Sequence, residues 1–375
     1  MKILYIENIR LPTEKAHGIQ IMKMCEAFAD LGHEVVLFVP CRKNTIQTDP
    51  FEFYGIKKIF TIKRVWVPNI IFLGKIGFYI QTLYFSEVSA QFLYSYKPEL
   101  VYSREERILV NLIFIAKNII WESHRGSWNL AAKIISRFAK KMAVISRGLK
   151  DFYIGKKSEL SRKIVLLPDG VDLFLFDISL SKEECRLKLH LPKDRRIALY
   201  AGHLYAWKGA HIFAEASKSF NGNEIAVFVG GTEKDLKAFR EKYNQSNGYK
   251  NCMILGWKPY YLISLYLKAA DVLVLPNSAH DTMGSIYTSP LKLFEYMASG
   301  TPIVTSNVPA IREILDESNS TIFTADSSEG LYRAIEDVFR EVDKAKMKAL
   351  NARKKVQEYS WISRAKTIAE TLPIV

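Results

Sequence analysis

The residues best placed to do chemistry lie in residues 288–306, reading T-S-P-L-K-L-F-E-Y-M-A-S-G-T-P-I-V-T-S. Ser289 and Pro290 turn a loop into a helix. That helix carries Glu295 on its first turns and ends at Ser299 and Gly300, and a strand follows at once. Unpaired backbone N–H groups at such a helix start suit an anion such as a pyrophosphate. Glu295, one to two turns in, can accept hydrogen bonds from a ribose diol. The plain alternative is an ordinary αβ unit with a surface glutamate, because this architecture is rich in loop-helix-strand units. The four cysteines, Cys25, Cys41, Cys185 and Cys252, are far apart and form no CxxC pair. They suggest neither a disulfide framework nor a zinc site, and fit thiols in a reducing cytoplasm.

A second candidate region is electrostatic. Net charge is +14, from 53 Lys and Arg against 39 Asp and Glu. Residues 1–170 hold 26 of the bases and 15 of the acids, so the excess belongs to the N-terminal half. Between Phe53 and Ser86 no acid occurs, while Lys57, Lys58, Lys63, Arg64 and Lys75 do. The same stretch holds Phe60, Trp66, Phe72, Phe78, Tyr79, Tyr84 and Phe85. Bases mixed with aromatic rings fit an anionic membrane surface. Phosphate backbones attract the same charge, but no zinc-finger spacing, RNP-like aromatic signature or basic arm accompanies it, so no nucleic acid is expected. A solvated basic face over ordinary core aromatics is the remaining reading.

Positioning these residues requires two parallel-sheet modules. In the first, residues 2–6 and 34–39 read as strands around a helix at 19–31, with Pro40 closing the second strand. Residues 76–96 read as a long helix, with Ile76, Tyr79, Ile80, Leu83, Tyr84, Val88, Phe92 and Tyr96 near one stripe. Residues 100–102, 119–121 and 142–145 look like further buried strands. The pattern restarts with a strand at 197–201, a Gly-containing loop and a helix at 210–220. Strands at 225–230, 252–255, 272–275 and 302–305 follow, with a helix at 291–298. The join lies near residues 168–181. The fold class is therefore α/β, with two Rossmann-like doubly wound domains. Ligands are expected beyond the C-terminal strand ends, in a central cleft that the domains face. At 375 residues, 49% hydrophobic and 25% charged, the chain is ordinary for two globular domains. The first six residues are too few for a signal-peptide core, and no stretch reaches 18 uncharged apolar residues, so neither secretion nor a membrane span is expected.

The order of these segments resembles the retaining family-4 glycosyltransferases, glycosyl transferases group 1, of the GT-B fold. Residues 290–304 resemble the family's donor-site signature. Tyr200-Ala-Gly-His-Leu-Tyr-Ala-Trp-Lys-Gly209 resembles its Gly-Arg-Leu…Lys-Gly loop, and Val229-Gly-Gly231 the next strand and turn. Residues 256–276 resemble the nucleobase-side segment, Trp121-Glu-Ser-His124 the N-terminal Glu-x-His element, and residues 167–172 the hinge. Tyr359-Ser-Trp361 resembles the start of a last helix that returns to the first domain. The resemblance implies an acceptor-binding domain over 1–175, joined by a helix at 360–375, and a donor-binding domain over 176–359.

It further implies catalytic roles for His124, Lys208 and Glu295. Lys208 would neutralise the donor's leaving diphosphate, Glu295 would hold the nucleotide ribose, and His124 would lie near the transferred sugar. Gly18, His203, Gly231, Trp257, Lys258, Ser289, Leu291 and Lys292 would complete the donor site, with Trp257 and Lys258 at the base pocket. His17, Lys57, Lys58, Lys63, Arg64, Trp66 and Lys75 would face the acceptor or membrane. Two departures stand out. Tyr287 occupies the position of the first glutamate of the family's Glu-x7-Glu motif, and His203 that of its usual arginine. Lys292 then becomes a second source of positive charge for the phosphates or a contact to the sugar. No DxD metal motif occurs, so no cofactor or metal is expected.

The implied reaction moves a sugar from a nucleotide diphosphate sugar to an acceptor hydroxyl with retention. A lipid-linked or cell-envelope glycan is the expected acceptor, and the inner face of the cell membrane the expected location. Two rivals remain open: a nucleotide-sugar epimerase of the same fold, and a weakly active glycosyltransferase-like membrane scaffold.

Overall fold

The computed structural model describes residues 1–243 and 248–372. Two compact units divide the chain: Met1–Pro168 with Trp361–Val375, and Asp169–Ser360. Residues 373–375 of the expected closing helix lie outside the described residues.

Unit 1 contains the strands β1 (Lys2–Ile6), β2 (Glu34–Cys41), β3 (Thr61–Trp66), β4 (Leu100–Ser103), β5 (Ile119–Ser123), β6 (Lys141–Val144) and β7 (Ile164–Leu166). They form one sheet in the order β3-β2-β1-β4-β5-β6-β7, and every neighbouring pair is parallel. Helices cover both faces of such a sheet, so its central strands are apolar on both sides. Ile3, Leu4, Tyr5 and Ile6 are all fully buried. The helix Trp361–Glu370 completes this unit.

Two details differ from the sequence reading. Pro40 does not close β2; the strand runs on to Cys41, and Pro40 pairs with Val65 of β3. The carbonyl of Phe38 points toward β1, where it accepts the Glu7 N–H at 3.0 Å. Pro40, two residues on, presents its backbone nitrogen to that same side. Since β1 has already ended, no ladder donor is missing there.

The long helix is the second. It spans Gly74–Tyr96, but the first half of its apolar stripe faces outward, while Val88, Phe92 and Tyr96 are half-buried. Ile76, Leu83, Tyr79 and Ile80 are exposed, together with Phe72 and Leu73 ahead of the helix. The inward face is small and polar: Gly77, Gln81, Thr82, Ser86 and Ser89 are buried beside Phe85 and Leu93. Most of those polar groups have a partner among the described residues, the Gln81 side-chain oxygen being the exception. Gln81 donates to the Pro68 carbonyl at 2.9 Å, Thr82 accepts from Asn8 at 3.2 Å, and Ser86 accepts from Asn111 at 2.8 Å. A Cβ on Gly77 would sit 1.8 Å from the Ile70 carbonyl oxygen, so only glycine fits.

Unit 2 contains β8 (Arg196–Ala201), β9 (Glu224–Val229), β10 (Cys252–Gly256), β11 (Val272–Leu275), β12 (Ile303–Ser306) and β13 (Thr321–Phe323). Their order is β10-β9-β8-β11-β12-β13, again all parallel. The helix Leu291–Ser299 stops at Gly300, whose φ of 68° is the left-handed cap. Tyr296 fastens this helix to β8 by accepting the Ala201 N–H at 2.8 Å. The loop after β8 ends at Gly209, whose φ is 73°. A Cβ there would meet the Pro276 carbonyl oxygen at 1.7 Å.

Gly209→Ala is therefore expected to destabilise the protein by more than ~1 kcal/mol, because both the backbone angle and the contact oppose a side chain. Urea unfolding measures this. A variant as stable as the parent would show that the loop does not pack on the end of β11.

Candidate functional site

In unit 2 the functional candidates gather where β8 and the helix Leu291–Ser299 meet. Lys292 is 7% exposed, and its ammonium lies 4.0 Å from the centre of the Tyr200 ring. Nζ of Lys292 is buried and has no hydrogen-bond partner among the described residues. Lys208 is half-buried, with Nζ 5.1 Å from the Trp207 ring and 5.7 Å from that of Tyr205. Glu295 is buried one turn beyond Lys292 and accepts a hydrogen bond from Tyr260.

Burial governs the protonation of all three. It pushes the Lys208 ammonium down to about 8, with Glu295 pulling the other way. It drives Lys292 well below the ordinary lysine range, and the charge of Lys208 adds to this. It raises the Glu295 carboxyl to about 7, against the Tyr260 hydrogen bond and the two lysines. The cluster is therefore short of counter-charge. An anion would let both lysines keep their protons.

The other expected donor residues fall around this cluster or apart from it. Ser289 is buried and accepts the Asp169 N–H at 2.9 Å, so its hydroxyl already uses one of its lone pairs. Leu291 opens the helix, whose first turn carries no acidic residue and no side-chain cap. His203 is 4.0 Å from the Asp235 carboxylate and stacks on Tyr205 at 5.0 Å. Tyr200 donates to its carbonyl. Gly231, with φ 91°, abuts Leu204. Trp257 and Lys258 follow β10; Trp257 is exposed. Gly18 belongs to unit 1, within the helix Ala16–Asp30, and the hydroxyl of Tyr54 fills the space where its Cβ would stand, at 2.1 Å. Packing against Tyr54 thus explains the glycine.

In unit 1 the centre is Glu122, fully buried at the end of β5. Gln20 donates to it at 2.9 Å and Arg364 at 3.2 Å; Tyr102 and His124 also hydrogen-bond to it. Burial alone would raise this carboxyl, but Arg364 and His124 outweigh it and hold the group at about 2. Burial and the charge of Arg104 lower His124 to about 4, against the pull of Glu122. His124 is thus a neutral imidazole at pH 7, able to take part in a hydrogen bond without carrying charge. His17 is half-buried in the first turn of the helix Ala16–Asp30.

The basic residues lie apart from that centre. Lys57 pairs with Asp30 at 3.2 Å, Lys58 lies over the Phe51 ring at 5.8 Å, and Arg64 donates to the Leu11 carbonyl at 3.3 Å. Lys63, Lys75 and Trp66 are exposed. Sequence reasoning quoted Glu122 and Tyr200 within motifs without giving them a role, and passed over Tyr260 and Arg364. A carboxylate inside the apolar run of β5 is a readable signal for Glu122. Arg364 gives none, because its partner lies 242 residues away.

Residues 181–355 match the family described as Glycosyl transferases group 1. A Bacillus subtilis protein named for teichuronic acid biosynthesis, the glycosyltransferase TuaC, is 29% identical over 45% of this chain and 40% of its own. An uncharacterized glycosyltransferase of Methanocaldococcus jannaschii is 25% identical over 60% of this chain and 58% of its own. The matches therefore span about half the length of these relatives. Among solved structures, Anabaena HepE in complex with UDP and glucose superposes with a TM-score of 0.79 at 18% identity, over 99% of both chains. The sucrose-phosphate synthase of Thermosynechococcus elongatus gives 0.79 at 18%, over 98% and 97%. The fold is GT-B.

Arg364→Met would leave the Glu122 carboxylate buried without its cation, a change that costs about 3–5 kcal/mol. In the parent, the depressed carboxyl contributes stability above the ordinary carboxylate range, and this is lost as pH falls toward 2. In the variant the carboxyl rises, so the deficit seen at pH 7 shrinks on acidification. Denaturant unfolding at neutral and mildly acidic pH reads both effects; equal stability at pH 7 would show that Arg364 is not the compensating charge.

Proposed function

We propose that this chain, whose residues 181–355 form a glycosyl transferases group 1 domain, transfers a sugar from a nucleotide diphosphate sugar to an acceptor hydroxyl with retention at the anomeric carbon. The observation that carries this reading is the cluster of Lys208, Lys292 and Glu295 at the start of the helix Leu291–Ser299.

The two ammonium groups and the helix amino end hold the diphosphate, and Glu295 accepts hydrogen bonds from the ribose. With His203 in place of arginine, the phosphates depend on the lysines. The bond between the anomeric carbon and the diphosphate oxygen breaks, and the acceptor oxygen bonds to the same face of the sugar. Its proton passes to the departing phosphate oxygen, so no side-chain nucleophile is required. The family resemblance gives His124, neutral at pH 7, the role of a hydrogen-bonding group for the transferred sugar. The lysines replace a divalent ion at the leaving group. The complex of HepE with UDP and glucose supports a UDP-sugar as the first donor to test.

The acceptor is a lipid-linked or cell-envelope glycan, taken from the inner face of the cell membrane. Supporting this is the exposed apolar face of the helix Gly74–Tyr96, with Phe72 at 81% and Trp66 at 67% exposure beside Lys63, Arg64 and Lys75. No described helix is long and apolar enough to cross a membrane. A surface contact fits this arrangement, each base adding about 1 kcal/mol near anionic lipid.

Two experiments test the reading. Calorimetry with UDP-sugars and GDP-sugars should find binding that Lys208→Ala and Glu295→Ala each weaken roughly tenfold or more, which is ~1.4 kcal/mol or more. Diphosphate raises the lysine pKa values, so affinity falls as pH rises above about 8. Glu295 binds ribose best when ionised, so affinity rises with pH through about 7. A maximum between these limbs is expected, while a flat profile or unaltered variants would remove the assignment. Separately, the protein should float with anionic liposomes at low salt, and Phe72→Asp/Ile76→Asp should not. Parent protein that stays in solution would exclude the membrane contact.

A further inference from the structure

Unit 1 carries a second charged ledge that the reaction above does not use. A parallel sheet sends all its C-terminal strand ends to one edge, and ligands bind there at the point where strand order reverses. In this sheet that point lies between β1 and β4. Three strands around it are followed by arginine: Arg42 directly after β2, Arg104 directly after β4, and Arg125 two residues after β5. The four strands β2-β1-β4-β5 are neighbours, spaced ~4.8 Å apart, so the three side chains can reach a common point.

None of these arginines makes an ion pair within 4.0 Å among the described residues. Arg42 donates to the Asn8 side chain at 2.6 Å, and its Nε is buried without a partner. Burial lowers Arg42, although Glu105 opposes this. Arg104 donates to Gln20 at 3.1 Å, and Arg125 is exposed. Their backbones are fixed. The Arg104 N–H donates to Glu7 at 2.9 Å, and the Arg125 carbonyl accepts from Ser123 at 3.0 Å and from Tyr153 at 2.9 Å. Two carboxyl groups share the ledge, Glu7 and Glu105. Burial raises both; Arg104 opposes this at Glu7, and Arg104, Arg125 and Arg42 all oppose it at Glu105, so the three guanidinium groups act on one point.

We propose that Arg42, Arg104 and Arg125 form an anion site that binds a phosphate or pyrophosphate group of the acceptor. This rests on the glycosyltransferase reading and names the acceptor's chemical class. Guanidinium forks match phosphate oxygens in pairs, and three of them suit a multiply charged group better than a single carboxylate. The site is wired to the reaction centre: Arg104 holds Gln20, Gln20 holds Glu122, and Glu122 holds His124. A phosphate seated on Arg104 therefore places its attached sugar or lipid beside His124.

The test uses the full chain with saturating UDP to occupy the donor site. Glucose 1-phosphate, inorganic pyrophosphate and glucuronate are titrated in, and phosphatidylcholine vesicles with and without a polyprenyl phosphate are compared. The phosphate ligands should bind, and Arg42→Gln and the exposed Arg125→Gln should each weaken them about tenfold. Arg42→Lys should recover only part, since it keeps the charge but loses the fork. UDP affinity should be unchanged in these variants. Binding of glucose 1-phosphate identifies a soluble acceptor; arginine-dependent binding confined to the polyprenyl phosphate vesicles identifies a lipid one. Either supports the site. Phosphate binding unaffected by the arginine substitutions, or glucuronate binding as tightly, overturns it. If UDP itself fails to bind, the donor reading falls separately, and the phosphate titration in Lys208→Ala/Lys292→Ala still reads the arginine site.

Discussion

A buried ammonium needs a counter-charge, and unit 2 withholds one from Lys292. The Tyr200 ring beneath it supplies a cation–π attraction of at most about 2 kcal/mol. An anion at 4 Å contributes roughly twice that even at an effective dielectric of 20. The ring can therefore hold the side chain in place without satisfying it. The rest of the local architecture preserves this deficit. Tyr296 locks the helix to β8, and Gly209 brings the Lys208 loop against the end of β11. Glu295, which could have neutralised the lysines, is itself raised by burial and engaged by Tyr260. On the proposed reading, a diphosphate completes the pocket.

Unit 1 treats its central charge in the opposite way. Glu122 is surrounded by Gln20, Tyr102, His124 and Arg364, and is ionised without help from any ligand. Its task is positional: a fully satisfied carboxylate orients the His124 ring, which burial and the charge of Arg104 keep neutral. The contrast follows the residue types. Lysine loses its proton readily when buried, and so responds to what binds. Arginine stays charged, and so either completes a fixed network, as Arg364 does, or waits charged at a sheet edge, as Arg42 and Arg104 do.

Much of this was readable from residues. Both parallel sheets follow from apolar runs separated by helical periods, and the helix carrying Glu295 was bounded by Pro290 and Gly300 as its cap geometry requires. The strands that escaped notice, β3, β7 and β13, sit at sheet edges. β3 has only exposed and half-buried residues along T-I-K-R-V-W, so it lacks the apolar signature of its neighbours. Lys292 was readable as a charge, but not as a buried one: its desolvation depends on Tyr200, 92 positions away in sequence. Gly18 misled in a different way. Glycine marks a close approach, but sequence does not say by what, and here the answer is a tyrosine hydroxyl from the same unit.

The helix Gly74–Tyr96 shows the limit of periodicity most clearly. A stripe of apolar residues says that a helix has two faces, and burial of the apolar one is the usual inference. Here the side that packs on the protein is built from glycine, serine, threonine and glutamine beside Phe85 and Leu93, with hydrogen bonds from Gln81, to Thr82 and to Ser86. Small residues let the backbone come close, which recovers dispersion contacts that larger side chains would have supplied. The apolar side is then free for a surface outside the protein. An arrangement of this kind is costly in water unless something covers it, because a contiguous apolar face of this size is rare on a monomer. Flanking bases without intervening acids favour an anionic cover, and the absence of acid from residues 53–86 is what separates this surface from an ordinary protein-protein patch. The inverted helix and the acid-free stretch are two independent features of one segment, and the proposed contact with an anionic lipid surface would account for both.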